Sequence, residues 1–251
     1  MHQLNRQTMN SGHTLTRLDP RVKLICVLVL LVMVISGRGL VFPSVMATVS
    51  IGLCLDLGVR PKALLMRFAE PIFIAFMVVL LKLFFSGATP LFSFHVFELE
   101  VTGHRDGLLQ GLLIASRIGG SVSLVALLGF CTSFTDLMGA LAWLRAPSGF
   151  IEVALFAWRY LFVLFDDAQV VYSAQKNRLG YSGILRGLRS FGTLTGALVI
   201  KAFDNSQTIT TAMAQRGYDG TMPLLRQRPL RGIELAISFA FLVCMGIIWR
   251  F

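Results

Sequence analysis

The chain has 251 residues, of which 55% are hydrophobic and only 14% are charged, with a mean hydropathy of +0.71. This composition excludes an ordinary soluble domain, in which about 25% of residues are charged, and predicts a protein whose solvent is lipid. The net charge of +10 taken alone would favour nucleic-acid binding. In a membrane protein, however, Lys and Arg concentrate in cytoplasmic segments, so we interpret the charge as a topological signal and expect no nucleic-acid partner.

Five stretches are apolar enough to span the bilayer, which takes roughly 20 residues. They cover residues 22–39, 40–57, 68–85, 108–131 and 233–249. The connection between the second and third stretches contains Arg60, Lys62 and Arg67, and the N-terminal tail is also basic. The positive-inside rule therefore predicts a cytoplasmic N-terminus and, with five spans, an external C-terminus. The tail has no signal-peptide pattern, so the first span is expected to remain as an anchor.

Two local patterns add to this picture of the spans. Alternating apolar and polar residues over 92–101 predict a short external β-hairpin between the third and fourth spans. Three Gly-x-x-x-Gly spacings, at 107–111, 183–187 and 192–196, are suited to close helix packing. We interpret these glycines as packing residues.

Residues 132–231 have a different character, because their helices combine apolar residues with eleven Lys or Arg residues. The pattern predicts a short amphipathic helix over 134–144 and two long helices over 148–178 and 182–216. These helices are too apolar for free solvation and too charged for lipid, so we expect them beneath the membrane, with one face offered to a partner. The predicted protein is therefore all-α and polytopic, with transmembrane helices in 1–131, a cytoplasmic region over 132–231, and a last transmembrane helix in 232–251.

The most informative feature is a repeated Ala-x-x-x-Arg pattern at the end of each long helix. The first copy runs from Ala174 to Arg178 and is followed by Leu179 and Gly180, while the second runs from Ala212 to Arg216 and is followed by Gly217. A spacing of four places Ala and Arg on one helix face, and the glycine is expected to end the helix in a left-handed conformation. One arginine at a helix C-terminus is explained by the helix dipole. Two copies favour paired contact sites.

Further segments complete a resemblance to a known family. Leu18 to Leu24 at the start of the first span contains Asp19, Pro20, Arg21 and Lys23, and the first long helix contains Arg159-Tyr160-Leu161-Phe162. Together with the two Ala-x-x-x-Arg ends, these segments resemble the transmembrane (T) subunit of energy-coupling factor (ECF) transporters, most of all its cobalt-transport CbiQ and nickel-transport NikQ groups. The chain departs from the family pattern at Leu179, where Arg-Gly is common, and at Lys201 and Asp204, where arginines are frequent.

The resemblance implies a coupling subunit in the inner membrane of a bacterial cell. It implies two partner ATPase subunits of the ABC type, which hold ATP and Mg, and a membrane substrate-binding S subunit similar to CbiM or NikM. The docking residues would be Ala174, Arg178, Gly180, Ala212, Arg216 and Gly217, with Asp19, Pro20, Arg21, Lys23 and Arg159 in structural or coupling roles. Cobalt and nickel are favoured by this similarity, and a vitamin remains open as a substrate.

The chain's own residues favour a non-catalytic role. It has no G-x-x-x-x-G-K-[ST] sequence that would cradle ATP phosphates, and we assign it no cofactor, metal or catalytic site. The alternatives are a membrane-embedded enzyme or a stand-alone carrier, for which Lys82 and Arg117 are the candidate residues within spans. Asp166 and Asp167 are expected to pair with Arg159 or with a neighbouring helix.

Overall fold

A computed structural model describes residues 18–37, 39–86, 90–96, 99–218 and 232–250. The described chain is helical apart from one β-hairpin. Its helices are α1 (Pro20–Ser36), α2 (Val41–Asp56), α3 (Pro61–Phe85), α4 (Arg105–Cys131), α5 (Phe134–Trp143), α6 (Ser148–Asn177), α7 (Ile184–Gln215) and α8 (Gly232–Trp249). The predicted helical, polytopic fold is confirmed, and most predicted helix ends lie within three residues of the observed ones.

The largest difference in bounds is at the start of α3, which begins at Pro61 rather than at residue 68. Pro61 occupies the first turn, where the missing N–H costs nothing and the fixed φ favours the helix. The basic residues that suggested a loop are therefore the first turns of a helix. Between α3 and α4, strands β1 (Pro90–Val96) and β2 (Leu99–His104) pair antiparallel, with Phe94 opposite Val101, which confirms the predicted hairpin.

By length and composition, α3, α4, α6 and α8 can cross a membrane, and α2 is a shorter apolar helix. We did not predict from the sequence that α6 is apolar enough to cross a membrane, because the charges of this helix suggested a position beneath the membrane. That position stays a prediction.

The chain divides into two compact units, Met1–Ala140 with Arg228–Phe251, and Leu141–Gln227. The core of the first unit lies where α1, α2, α4 and α8 meet. It is formed by side chains that are almost fully buried, namely Val27, Leu30, Val34, Phe42, Met46, Leu124 and Met245. The second unit contains α6 and α7, which pack as an antiparallel pair.

Arg117, one of the two charged residues considered for an intramembrane site, donates a hydrogen bond to the C-terminal end of α1. Its guanidinium donates to the carbonyl oxygen of Gly37, where α1 ends, and Trp249 donates through Nε1 to the Met33 carbonyl oxygen at 3.0 Å. The last carbonyls of a helix have no i+4 partner within the helix, and Arg117 supplies a donor to that of Gly37. The Met33 carbonyl oxygen already accepts from the Gly37 N–H at 2.9 Å, and Trp249 adds a second donor to it. This contact gives Arg117 a structural role.

Candidate partner-docking site

The first Ala-x-x-x-Arg end is the C-terminus of α6. Ala174 and Arg178 are both exposed, and Arg178 is the residue at which the helix stops. The Gly180 N–H donates to the Gln175 carbonyl oxygen at 2.9 Å, and the Leu179 N–H donates to that of Lys176 at 3.0 Å. This pair of bonds is a Schellman cap, in which the residue after the cap takes a left-handed conformation.

The second end, at the C-terminus of α7, has the same construction. Ala212 and Arg216 are exposed, and Arg216 is the capping residue. The Tyr218 N–H donates to the Met213 carbonyl oxygen, and the Gly217 N–H to that of Ala214, each at 3.1 Å. Both motifs therefore present an exposed guanidinium at a capped helix end.

The expected role of glycine holds at one end and is wrong at the other. Gly217 has φ of +75°, as predicted for a helix-ending glycine, but at the first end the left-handed residue is Leu179, with φ of +57°. A side chain in this conformation costs about 1 kcal/mol relative to glycine. Gly180 is needed for a different reason, because a Cβ there would lie 2.7 Å from the Ser190 hydroxyl and 2.9 Å from the Gln175 carbonyl oxygen.

The two arginines lie at opposite ends of the α6–α7 pair. At the loop end, Ser190 donates to the Gly180 carbonyl oxygen at 2.9 Å, so Arg178 lies near the level of Ser190. From Ser190 to Arg216 helix α7 continues for 26 residues, which is about 39 Å at 1.5 Å per residue. One small pocket cannot contact both guanidinium groups, whereas two separate partner surfaces can.

Three polar contacts hold the helices of this pair together along its length. Near the loop, Gln175 donates to Thr193 at 3.0 Å, and in the middle Lys201 forms an ion pair with Asp167. The pairing of Asp167 with a neighbouring helix was predicted, and it is Lys201, not Arg159, that supplies the charge. Arg159 itself is exposed on α6.

The third contact joins residues that sequence reasoning did not select. The Tyr218 hydroxyl donates to the carboxylate of Glu152, which is buried near the start of α6, at 2.9 Å. Tyr218 follows the second motif by two residues, so this bond fixes the Arg216 end of α7 to α6. The carboxylate of Glu152 stands among apolar residues at 148–157, and this pattern could have identified Glu152 as a residue that needs a polar partner.

Between the Asp167–Lys201 ion pair and the Glu152–Tyr218 bond a groove of about 370 Å³ lies between the two helices. Its lining is mostly apolar and includes Phe156, Tyr160, Leu164, Ile209 and Met213. Side-chain packing is therefore incomplete in this part of the pair. Polar contacts join the two helices on either side of the groove.

The residues predicted at the start of the first span form a second, separate cluster in the bundle. The Asp19 carboxylate caps α1 by accepting from the Arg21 backbone N–H at 3.0 Å, and Pro20 occupies the first turn. The Asp19 N–H donates to the Glu234 carboxylate at 3.0 Å, and Lys23 donates through Nζ to the Cys131 carbonyl oxygen at 3.2 Å. The cluster joins the start of α1 to the start of α8 and the end of α4.

Replacement of Lys23 by methionine is expected to destabilise the bundle by about 2 kcal/mol, because a charged donor to the end of α4 is removed. The carboxylates of Asp136, Asp19 and Glu234, which interact electrostatically with Lys23, would also lose a positive neighbour. The measurement is equilibrium unfolding in detergent followed by tryptophan fluorescence. Lys62→Met, at an exposed position in the first turn of α3, is the control, and equal losses in the two variants would contradict the prediction.

The fold and these helix ends define a helical, multi-pass membrane protein. A family model described as cobalt transport protein (CbiQ) matches residues 11–227. The chain belongs to this family, which is the family of the transmembrane components of ECF transporters. Its membership confirms the resemblance carried by the two motifs.

Individual relatives agree with this assignment. The chain is 28% identical to the energy-coupling factor transporter transmembrane protein EcfT of Thermanaerovibrio acidaminovorans over 85% of this chain and 82% of that protein. It is 34% identical to the cobalt transport protein CbiQ of Rhodobacter capsulatus over 44% of this chain and 48% of the relative. It is also 32% identical to a putative fused cobalt transport protein CbiMQ of Methanocorpusculum labreanum, over 53% of this chain and 21% of that protein. The chain thus spans about half of the CbiQ protein and about a fifth of the fused protein.

Proposed function

We propose that this chain is the coupling subunit of an ECF importer and that it takes up cobalt or nickel ions together with partner subunits. Two ATPase subunits, which carry ATP and Mg, dock on the exposed ends at Arg178 and Arg216. A substrate-binding S subunit similar to CbiM completes the transporter. The names of the CbiQ and CbiMQ relatives support the choice of metal ion and of this partner.

The observation that carries the proposal is the placement of two equivalent arginines about 39 Å apart, at the two ends of one helix pair. Two ATPase subunits that close on ATP move relative to each other, so each needs its own point of attachment. A guanidinium suits this role, because its planar set of donors binds a carboxylate or carbonyl groups with fixed geometry. The Asp167–Lys201 ion pair and the Glu152–Tyr218 hydrogen bond join the two helices, so a force at one end of the pair can reach the other.

In this arrangement the chain has no catalytic step of its own. Its N-terminus is cytoplasmic, and the α6 and α7 ends face the cytoplasm of a bacterial cell, where the ATPases are. The concentration of Lys and Arg near these ends supports that orientation.

Reconstitution in liposomes tests the proposal. The chain alone is expected to transport no Co²⁺ or Ni²⁺, and addition of both the ATPase and the S subunits is expected to give ATP-dependent uptake. Uptake by the chain alone would instead identify a stand-alone carrier. Uptake by the S and ATPase subunits without the chain would remove its coupling role.

A further inference from the structure

The two docking ends share a backbone conformation but not a side chain at the residue after the arginine. Leu179 and Gly217 both have positive φ, of 57° and 75°, and both are part of a Schellman cap. Glycine adopts this conformation without steric cost, whereas leucine does not. The chain therefore contains the same cap twice, once with a side chain at the left-handed residue and once without.

Leu179 buries little surface that would compensate for its backbone conformation. Its side chain is 70% exposed, and it is adjacent to the exposed guanidinium of Arg178. The backbone conformation of Leu179 is therefore unfavourable, and the described residues of the chain leave most of its apolar side chain uncovered. Strain of this kind is characteristic of sites that contact a ligand or a partner.

We infer that Leu179 is an apolar anchor that enters a pocket of the ATPase subunit bound at Arg178, and that the Gly217 end binds its ATPase without such an anchor. This inference rests on the docking role proposed above. It makes the two attachment points chemically different, with a cation and an apolar side chain at one end and a cation beside bare backbone at the other.

The expected partner surface follows from this chemistry. At the Arg178 end it has acceptor groups for the guanidinium beside an apolar pocket of leucine size. An arginine next to a buried apolar group is a common composition of energetically dominant contacts in protein interfaces. At the Gly217 end the absence of a side chain lets the partner backbone approach closely.

The test measures both the stability of the detergent-purified chain and its affinity for the purified ATPase subunits of its own transporter. Leu179→Gly is expected to raise the melting temperature of the chain and to weaken ATPase binding about ten-fold. Leu179→Asn, which also tolerates a left-handed conformation, is expected to weaken binding similarly, because it removes the apolar side chain. Leu179→Met keeps an apolar side chain and is expected to stay within two-fold of the wild type.

The outcomes separate this inference from the proposed function. No ATPase binding by the wild-type chain would overturn the docking role itself. Wild-type binding with unchanged affinity in Leu179→Gly would leave the docking role intact and overturn the anchor. Unchanged affinity in detergent combined with reduced uptake in liposomes would assign Leu179 to the bilayer surface, which also overturns the anchor. A higher melting temperature together with weaker binding is the result that supports it.

Discussion

The double variant Arg178→Ala/Arg216→Ala is expected to abolish co-purification of the ATPase subunits, while each single variant weakens it about ten- to a hundred-fold. Both side chains are exposed at capped helix ends. Their removal should therefore leave the fold unchanged, apart from a small loss of the favourable interaction with the helix dipole. Arginines that form the centre of an interface commonly contribute 2 kcal/mol or more each.

The control for this experiment removes the same charge from the same helices. Lys176 precedes Arg178 by two residues, and Arg189 is on the first turns of α7, and both are exposed. Both lie at the Arg178 end of the pair, so they control for the general effect of charge at that end. Lys176→Ala/Arg189→Ala is expected to retain the complex, because neither residue is an arginine that ends a helix. If the two double variants lose the ATPases equally, the attraction is general electrostatics and the arginines are only helix caps.

The largest effect on stability is expected from Gly107→Ala, at the start of α4. A Cβ at this position would lie 2.1 Å from the carbonyl oxygens of both Lys82 and Ser86 in the last turn of α3 and just after it. These are backbone atoms and cannot rotate away, so the two helices must separate. We expect a loss of about 3 kcal/mol or more, or failure to accumulate in the membrane.

Gly119→Ala in the same helix is the matched control, because a Cβ there meets no described atom within 4 Å. Alanine favours a helix by about 1 kcal/mol over glycine, so this variant is expected to be neutral or more stable. Unfolding in detergent and the yield of folded protein measure both variants. Equal stability of the two variants would show that α3 and α4 do not approach closely at Gly107.

The three Gly-x-x-x-Gly spacings show why local pattern alone does not identify a packing site. Gly107 and Gly111 do pack closely, since a Cβ at Gly111 would lie 3.0 Å from the Val79 Cα. In α7, by contrast, a Cβ at Gly192 or Gly196 would meet nothing within 4 Å among the described residues. The spacing puts two glycines on one helix face, but only the position of a neighbouring helix decides whether that face is used.

The candidate docking site was also only partly predictable from local pattern. The two Ala-x-x-x-Arg ends could be identified because helix periodicity, an arginine and a following glycine are all local in the sequence. The links Asp167–Lys201 and Glu152–Tyr218 join residues separated by 34 and 66 positions. No local rule predicts such pairs, because they depend on how α6 and α7 align after the loop.

The sequence by itself determined the membrane class, most bounds of the described helices other than the start of α3, the hairpin and the two arginine-tipped ends. These features follow from hydropathy and from periodicities that extend over a few residues. The tertiary structure decided the distance between the arginines, the partners of Glu152 and Asp167 and the conformation of Leu179. Those properties depend on atoms far apart in the chain, and at Leu179 the cap geometry of α6 imposed a left-handed backbone on a residue whose own preference opposes it.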